Sequence, residues 1–211
     1  MSLQRPQIAG RWAWGLLIAT AFAGLLSISC VTDQTARKGM PTTRSGGSAS
    51  SPATALTIEG PRGRRVLSLD ELRSLPATEG WGGIKGHSGK IVGPDRYRGV
   101  SIAALAELVG GVAPNRTVTL IGGDGYEVDL SYEQVAEGEF TVYDLNAGGE
   151  AGAKVPLTAV VAYERDGKAL DMENEGTLRL VVLSTSRSLV VDSRLAVRWI
   201  RRIVIETPSK K

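Results

Sequence analysis

The chain has 211 residues, of which 42% are hydrophobic and 22% charged, and its formal net charge is +3. This mild charge, without basic and aromatic residues interleaved, gives no indication of a nucleic-acid partner, and we expect none. The single cysteine and the single histidine exclude a disulfide, a Cys/His zinc site and bis-histidine haem ligation within one chain.

The N-terminal segment is typical of a secretory leader or a membrane anchor. Residues 12–32 carry no charge, and Arg5 and Arg11 precede them. Small residues stand directly before Cys30, which resembles a bacterial lipoprotein cleavage site, so we expect Cys30 to be lipidated. The alternatives are an uncleaved anchor and a soluble secreted protein. All three place the following domain outside the cytoplasm, in the periplasm or on the cell surface, and the first two tether it to the membrane.

Composition divides the chain into four parts. Residues 1–30 are the expected leader. Residues 31–54 are rich in Ser, Thr, Gly and Pro and lack large apolar side chains, which predicts a flexible tether. Residues 55–207 form the expected folded domain, about 150 residues and enough for one core, and residues 208–211 are a tail.

The first elements of the domain are a strand and a short helix. Ala55–Glu59 reads as a strand that is followed by a Gly/Pro turn. Ser68 and Glu71 form a capping-box pattern, which predicts a helix that ends at Pro76. The leucines expected to face the core are Leu69, Leu72 and Leu75.

The central stretch, Gly86–Leu108, is predicted to be a polar loop that leads into a helix. Its first half has no regular apolar period and contains His87. Ser101 is a plausible N-cap, and the apolar residues after it recur at helical spacing. Because such a loop exposes polar backbone at a helix start, the stretch is a candidate site for an anion or a cofactor.

The remaining elements are mostly short strands. A hairpin is predicted from Thr117–Ile121 and Gly125–Leu130, and Ser131 with Gln134 forms a second capping box. The later predictions are a strand at Phe140–Leu145, a mobile loop at Asn146–Lys154, a buried strand at Pro156–Glu164 with a turn at Asp166-Gly167, and strands at Leu178–Leu183 and Ala196–Glu206. Short strands with a few short helices predict an α+β domain with mixed sheets, not a doubly wound nucleotide fold.

Five segments, in order along residues 55–207, together resemble the oxidoreductase molybdopterin-binding domain, the fold of the sulfite oxidase type. They are Tyr97-Arg98-Gly99-Val100-Ser101-Ile102, Asp124-Gly125-Tyr126, Val161-Ala162-Tyr163-Glu164 with Asp166-Gly167 and Leu170, Gly176-Thr177-Leu178-Arg179-Leu180-Val181-Val182, and Val197-Arg198-Trp199-Ile200-Arg201-Arg202-Ile203.

The resemblance implies a molybdopterin cofactor whose metal is ligated by a cysteine thiolate. This thiolate lies upstream of the Gly-Val segment, in a window where the chain has His87-Ser88-Gly89-Lys90 and no cysteine. A hydroxyl or an imidazole does not replace a charged sulfur electronically. The leader also lacks the arginine pair with which cofactor-loaded proteins of this type are exported. We therefore expect the fold without a bound metal or cofactor. The alternative is that the domain binds molybdopterin.

The candidate residues for a pterin-type or anion pocket are His87, Ser88, Arg98 and Arg179. The two arginines each lie within a segment that resembles the family, and guanidinium groups suit phosphate and carboxylate. The wider basic set consists of Lys85, Lys90, Arg96, Arg187, Arg194 and Arg198. No catalytic or metal-ligating residue is assigned.

Three hypotheses follow. The preferred one is a degenerate domain that serves as a binding or assembly module for an anionic ligand or an envelope protein, held near Gly86–Gly99. The second is a functional molybdopterin-dependent oxidoreductase with a non-cysteine metal ligand. The third is a purely structural envelope protein.

Overall fold

The computed structural model describes residues 54–151 and 155–206. The expected leader with Cys30, most of the expected tether and the C-terminal tail lie outside the described residues. Within the described residues no helix is long and apolar enough to cross a membrane.

The described residues form thirteen strands, two short α-helices and two single helical turns. In chain order these are β1 (Thr54–Gly60), β2 (Gly63–Ser68), α1 (Leu69–Ser74), β3 (Thr78–Lys85), β4 (Ile91–Ser101), α2 (Ile102–Glu107), β5 (Thr117–Gly122), β6 (Glu127–Leu130), a π-helical turn (Glu133–Glu137), β7 (Val142–Asp144), β8 (Gly149–Glu150), β9 (Thr158–Arg165), β10 (Lys168–Ala169), β11 (Arg179–Leu183), β12 (Leu189–Asp192), a 3₁₀ turn (Ser193–Leu195) and β13 (Ile200–Glu206). The α+β class and the mixed sheets are therefore as the sequence predicts.

The strands form two sheets. The first has the order β2-β1-β13-β5-β6, and β1 runs parallel to β13 although they are the first and last strands. The second has the order β10-β9-β4-β3-β12-β7-β8, with β11 also paired to β9. Its β12 runs parallel to β3.

The main core joins both sheets and the two helices. Leu56, Leu120 and Ile203 come from the first sheet, while Val161 and Leu180 come from the second, and all five are at most 1% exposed. A second apolar cluster around Tyr97 and Val160 contains alternate residues of the same strands. Because neighbouring side chains of a strand point to opposite faces, β9 and β11 are buried on both sides.

The two capping boxes are confirmed. The Ser68 amide donates to Glu71 Oε2 at 2.8 Å, and the Glu71 amide donates to Ser68 Oγ at 3.2 Å. Ser131 and Gln134 exchange the corresponding pair, although the helix that follows is a single π-helical turn. Leu72 is fully buried, and Leu69 and Leu75 pack against the core as partly buried residues.

The prediction of a loop before α2 is wrong for most of its length. β3 and β4 form a long antiparallel hairpin, and only residues 86–90 make the turn. The two-residue apolar period of a strand is not visible in this sequence because the strands are irregular. The pairing of β3 with β4 is shifted between Gly82 and Ile84, and that of β4 with β9 between Arg98 and Gly99. The N-cap prediction is confirmed, since the Ala104 amide donates to Ser101 Oγ at 3.2 Å.

Other predicted elements differ in length or were missed. The strands β2, β3 and β12 were not predicted, and β8 lies inside the predicted mobile loop, of which residues 152–154 lie outside the described residues. The last strand begins at Ile200 and not at Ala196, because Trp199 has a left-handed backbone with φ of 49° that ends regular pairing.

Candidate functional site

A groove of about 480 Å³ opens at the end of the β3–β4 hairpin away from its turn. We call it the polar groove. Its lining residues are Glu79 and Trp81 of β3, Arg96, Tyr97 and Arg98 of β4, Glu164 of β9, and Asp166 and Gly167 of the turn that follows β9. The sheet register builds it, because Arg98 stands between Glu79 on one side and Glu164 on the other, and Trp81 stands beside Arg96.

Three carboxylates and two guanidinium groups line the polar groove, so it carries both signs of charge. Arg96 Nη2 lies 2.8 Å from Glu79 Oε2, and Arg98 Nη1 lies 3.6 Å from Glu79 Oε1. Asp166 accepts a hydrogen bond from the Arg96 amide at 3.1 Å. These side chains are solvent-exposed, and exposed ion pairs are worth about 0–1 kcal/mol each. An incoming charged group can therefore compete for them.

Two contacts hold the basic and aromatic groups of the groove in place. A hydrogen bond to the buried Tyr163 hydroxyl raises the pKa of Arg98 above its ordinary value. Arg187 stacks on Trp81, with its guanidinium carbon 4.9 Å from the ring centroid. Trp, Tyr and Arg are the residues most often found at the energetic centres of protein interfaces.

An ion cluster lies behind the groove and consists of the buried Glu175, Arg179 and Tyr97 together with Arg165, whose side chain is 38% exposed. Arg179 Nη1 donates to Glu175 Oε1 and also lies 3.4 Å from the Tyr97 hydroxyl. Arg165 Nη1 donates to the same Glu175 oxygen at 3.1 Å. Burial raises the pKa of the Tyr97 phenol, and the positive charge of Arg179 opposes this effect. The Arg179 charge is thus already neutralised by Glu175.

The comparisons with known proteins find similarity among solved structures. No family model and no curated protein match the chain. The crystal structure of the sulfane dehydrogenase SoxCD from Paracoccus pantotrophus matches with a TM-score of 0.54 at 17% sequence identity, over 75% of this chain and 39% of that chain. The fold is molybdopterin oxidoreductase-like. At this identity the match supports the fold alone, and the chain spans about two fifths of the SoxCD chain.

The residues of this molybdopterin oxidoreductase-like domain do not fit a thiolate-ligated metal. Cys30 is the only cysteine and precedes the domain. Among residues 54–151 and 155–206 there is no group of three or more His, Cys, Asp or Glu side chains that could hold a metal ion. We therefore derive no reaction step through a molybdenum centre.

The four candidate site residues lie in three places. His87 and Ser88 are exposed in the turn between β3 and β4, where the Gly86 amide donates to the Lys90 carbonyl at 2.7 Å. Arg98 lies seven residues along β4 from its start, a distance of about 20 Å in an extended strand. Arg179 is in the ion cluster, 9% exposed. Arg179 contacts Tyr97, the neighbour of Arg98 in β4, but the side chains of Tyr97 and Arg98 point to opposite faces of the sheet, so the two arginines do not share a site. His87 and Ser88 lie at the far end of the hairpin.

The wider basic set is dispersed in the same way. Lys85 stacks on Tyr143 with its Nζ 4.1 Å from the ring centroid, and Arg194 pairs with Asp192 at 3.1 Å. Arg198 donates to the Asn174 carbonyl at 3.2 Å. Only Arg96 and Arg98 line the polar groove, with Arg187 on Trp81.

Sequence reasoning missed the acidic half of the groove. Glu79 lies on a strand that was not predicted, and Asp166 was assigned only to a turn. The signal that could have found them is the alternation of charged and aromatic residues on β4, which places Arg96 and Arg98 two residues apart on either side of Tyr97. The partners of these residues come from elements 17 and 70 residues away.

Proposed function

We propose that this chain is a membrane-tethered extracytoplasmic binding module, built on a molybdopterin oxidoreductase-like fold, whose polar groove receives a charged segment of a partner protein. The tethering rests on the uncharged residues 12–32 and on Cys30 as a lipidation site. The chain is proposed to hold no metal, because the domain offers no thiolate.

The observation that carries the proposal is the composition of the polar groove. Glu79 pairs with both Arg96 and Arg98, and with Glu164 and Asp166 the lining has three carboxylates against two guanidinium groups. A small anion would meet this excess of carboxylates. A polypeptide segment with charges of both signs can instead pair with each group in turn and stack on Trp81, which favours a protein partner over a small anion.

Two other functions compete with this one. A molybdopterin-dependent oxidoreductase with a non-cysteine ligand agrees with the fold, but His87 and Ser88 would have to supply that ligand from an exposed turn. A purely structural envelope protein agrees with the tether and predicts no specific partner in the groove.

Site-specific photo-crosslinking in membranes of the native cells tests the proposal on the full chain. Benzoylphenylalanine replaces Glu164 in the polar groove, and in a control it replaces Glu127, an exposed residue of β6 in the other sheet. We expect a discrete adduct from position 164 that is absent from position 127. The charge reversal Arg98→Glu should lower the adduct yield by about fivefold or more.

Arg64→Glu is the matched control, because Arg64 is also an exposed arginine paired with a glutamate, Glu59, but lies in the other sheet. It should leave the adduct unchanged. Identical adducts from both positions, no adduct from position 164, or an adduct that is insensitive to Arg98→Glu would each contradict the proposal.

A further inference from the structure

A second hollow, of about 420 Å³, lies where β1 and β13 begin and shares no lining residue with the polar groove. We call it the Trp199 pocket. Its lining residues include Trp199, Met172 of the loop before β11, and the hydroxyl-bearing residues Thr57 and Thr177. Of the described residues that line it, only Arg201 is ionisable.

Trp199 is fixed in an unusual backbone conformation. Its φ of 49° is uncommon for any residue other than glycine. The Trp199 amide donates to the Glu175 carbonyl at 3.1 Å, and its carbonyl accepts from the Gly123 amide at 2.8 Å. The indole Nε1 donates to the Met172 carbonyl at 3.2 Å. Strained backbone that the surroundings hold in this way is found preferentially at binding sites.

The packing of the indole also requires a glycine beside it. A β-carbon on Gly176, which has a φ of 77°, would lie 2.3 Å from the Trp199 ring. The indole is therefore packed against bare backbone at Gly176, and both residues line the pocket. A planar apolar group can stack on such a pre-positioned ring at little entropic cost.

Arg201 is a cation without an acidic partner. None of the ion pairs or side-chain hydrogen bonds between described residues involves it. Asp124 lines an adjoining hollow together with Arg201 and Trp199, but it accepts from the Tyr126 amide at 3.0 Å and forms no ion pair with Arg201. The next residue, Arg202, contrasts with it, because it donates to Glu59 at 2.9 Å.

We propose that the Trp199 pocket binds a monocarboxylate with a flat apolar body. The Arg201 fork would take the carboxylate in two hydrogen bonds, which lysine cannot reproduce. The body would stack on Trp199 and contact the flexible thioether of Met172. One uncompensated cation suits one negative charge, and 420 Å³ is within the range of small-ligand sites.

The test uses 2-naphthoate as the probe and the full chain in detergent, with binding followed by calorimetry and by the indole N–H resonance of Trp199. We expect saturable binding that shifts this resonance. The variant Arg201→Gln should weaken the affinity by about tenfold or more, and Arg201→Lys by a smaller factor. The matched control Arg202→Gln removes the same charge one residue away and should change the affinity by less than about twofold.

A measurement on the unaltered chain keeps the proposal open to refutation if a variant unfolds. The neutral 2-naphthamide has the same flat body and should bind at least about tenfold more weakly than 2-naphthoate. Equal binding of the two compounds, absence of saturable binding, or equal losses in Arg201→Gln and Arg202→Gln would overturn it. Because the two sites share no residue, these results do not depend on whether the polar groove binds a partner.

Discussion

At the scale of single residues, burial and ion pairing distinguish the two candidate arginines. Arg179 forms a buried ion pair with Glu175, whereas Arg98 is exposed. The Glu175 side chain is 6% exposed and the Arg179 side chain 10%, whereas Arg98 is 47% exposed. If a buried guanidinium moves away from its carboxylate, the carboxylate becomes a buried and unpaired charge, which is energetically costly. Arg179 is therefore committed to a buried ion pair, whereas the guanidinium of Arg98 remains accessible to solvent.

Removing the buried cation should cost much more stability than removing an exposed one. Arg179→Met leaves Glu175 with Arg165 alone, and we expect the free energy of unfolding to fall by about 3 kcal/mol or more. The control Arg96→Gln breaks an exposed pair with Glu79 and should cost less than about 1 kcal/mol. Urea unfolding of both variants measures the difference. Equal losses would show that the cluster is not a buried charged unit.

Residue-scale features could be predicted from sequence only where the partners are near one another in the chain. The capping boxes at Ser68 and Ser131 were predictable, because both members of each box lie within four residues. Glu175 and Arg179 are also only four residues apart in the chain, but nothing in the sequence indicates that both side chains are buried. The pairing of Arg96 with Asp166 depends on the packing of β4 against β9, which a single sequence does not reveal.

At the scale of elements, the hairpin of β3 and β4 carries the groove, and its position depends on a close approach to β9. Gly99 lies at the register shift between β4 and β9. A β-carbon at this position would lie 2.3 Å from the Val161 carbonyl oxygen and 2.6 Å from the Ala162 Cα. Both are backbone atoms of a buried strand, so they cannot move aside without disturbing the sheet.

We therefore expect Gly99→Ala to destabilise the domain by about 1–3 kcal/mol. Gly149→Ala is the matched control, because Gly149 also lies in a strand and a β-carbon there would meet nothing within 4 Å. It should change the stability by less than about 0.5 kcal/mol. Thermal or urea unfolding gives both values. A tolerated Gly99→Ala would mean that β4 and β9 can separate without loss.

Elements with a clear period were predictable, and elements interrupted by a bulge were not. β9 and the β5–β6 hairpin were predicted because apolar residues run or alternate without interruption. β3 and β4 contain several glycines, a proline and two register shifts, which break the two-residue period. The sequence therefore predicts a loop where the structure has a hairpin, and it does not indicate that Glu79, Glu164 and Asp166 line the same groove as Arg98.

At the scale of the whole molecule, the domain combines a molybdopterin oxidoreductase-like fold with a sequence that has no cysteine after Cys30. The first and last strands pair in parallel at the centre of one sheet, and the core joins both sheets with the helices. Fold depends on this distributed packing, whereas metal ligation depends on a single side chain. A chain without the thiolate can therefore have this fold.

The fold class could be predicted because its signal is spread over five segments, and the match to SoxCD supports it. The location of the binding surfaces could not, since both the polar groove and the Trp199 pocket join residues from strands that are distant in the chain. The resemblance indicates both Arg98 and Arg179 as candidates for an anion pocket. The structure distinguishes them, because the Arg179 side chain is buried and the Arg98 side chain is exposed.

Elemental and pterin analysis of the full-length chain, isolated from the membranes of its native cells, tests the central claim most directly. The account predicts molybdenum far below one atom per chain and no pterin fluorescence after denaturation, since no thiolate is present to hold the metal. Stoichiometric molybdenum together with pterin would contradict it and would establish the domain as an oxidoreductase with a non-cysteine ligand.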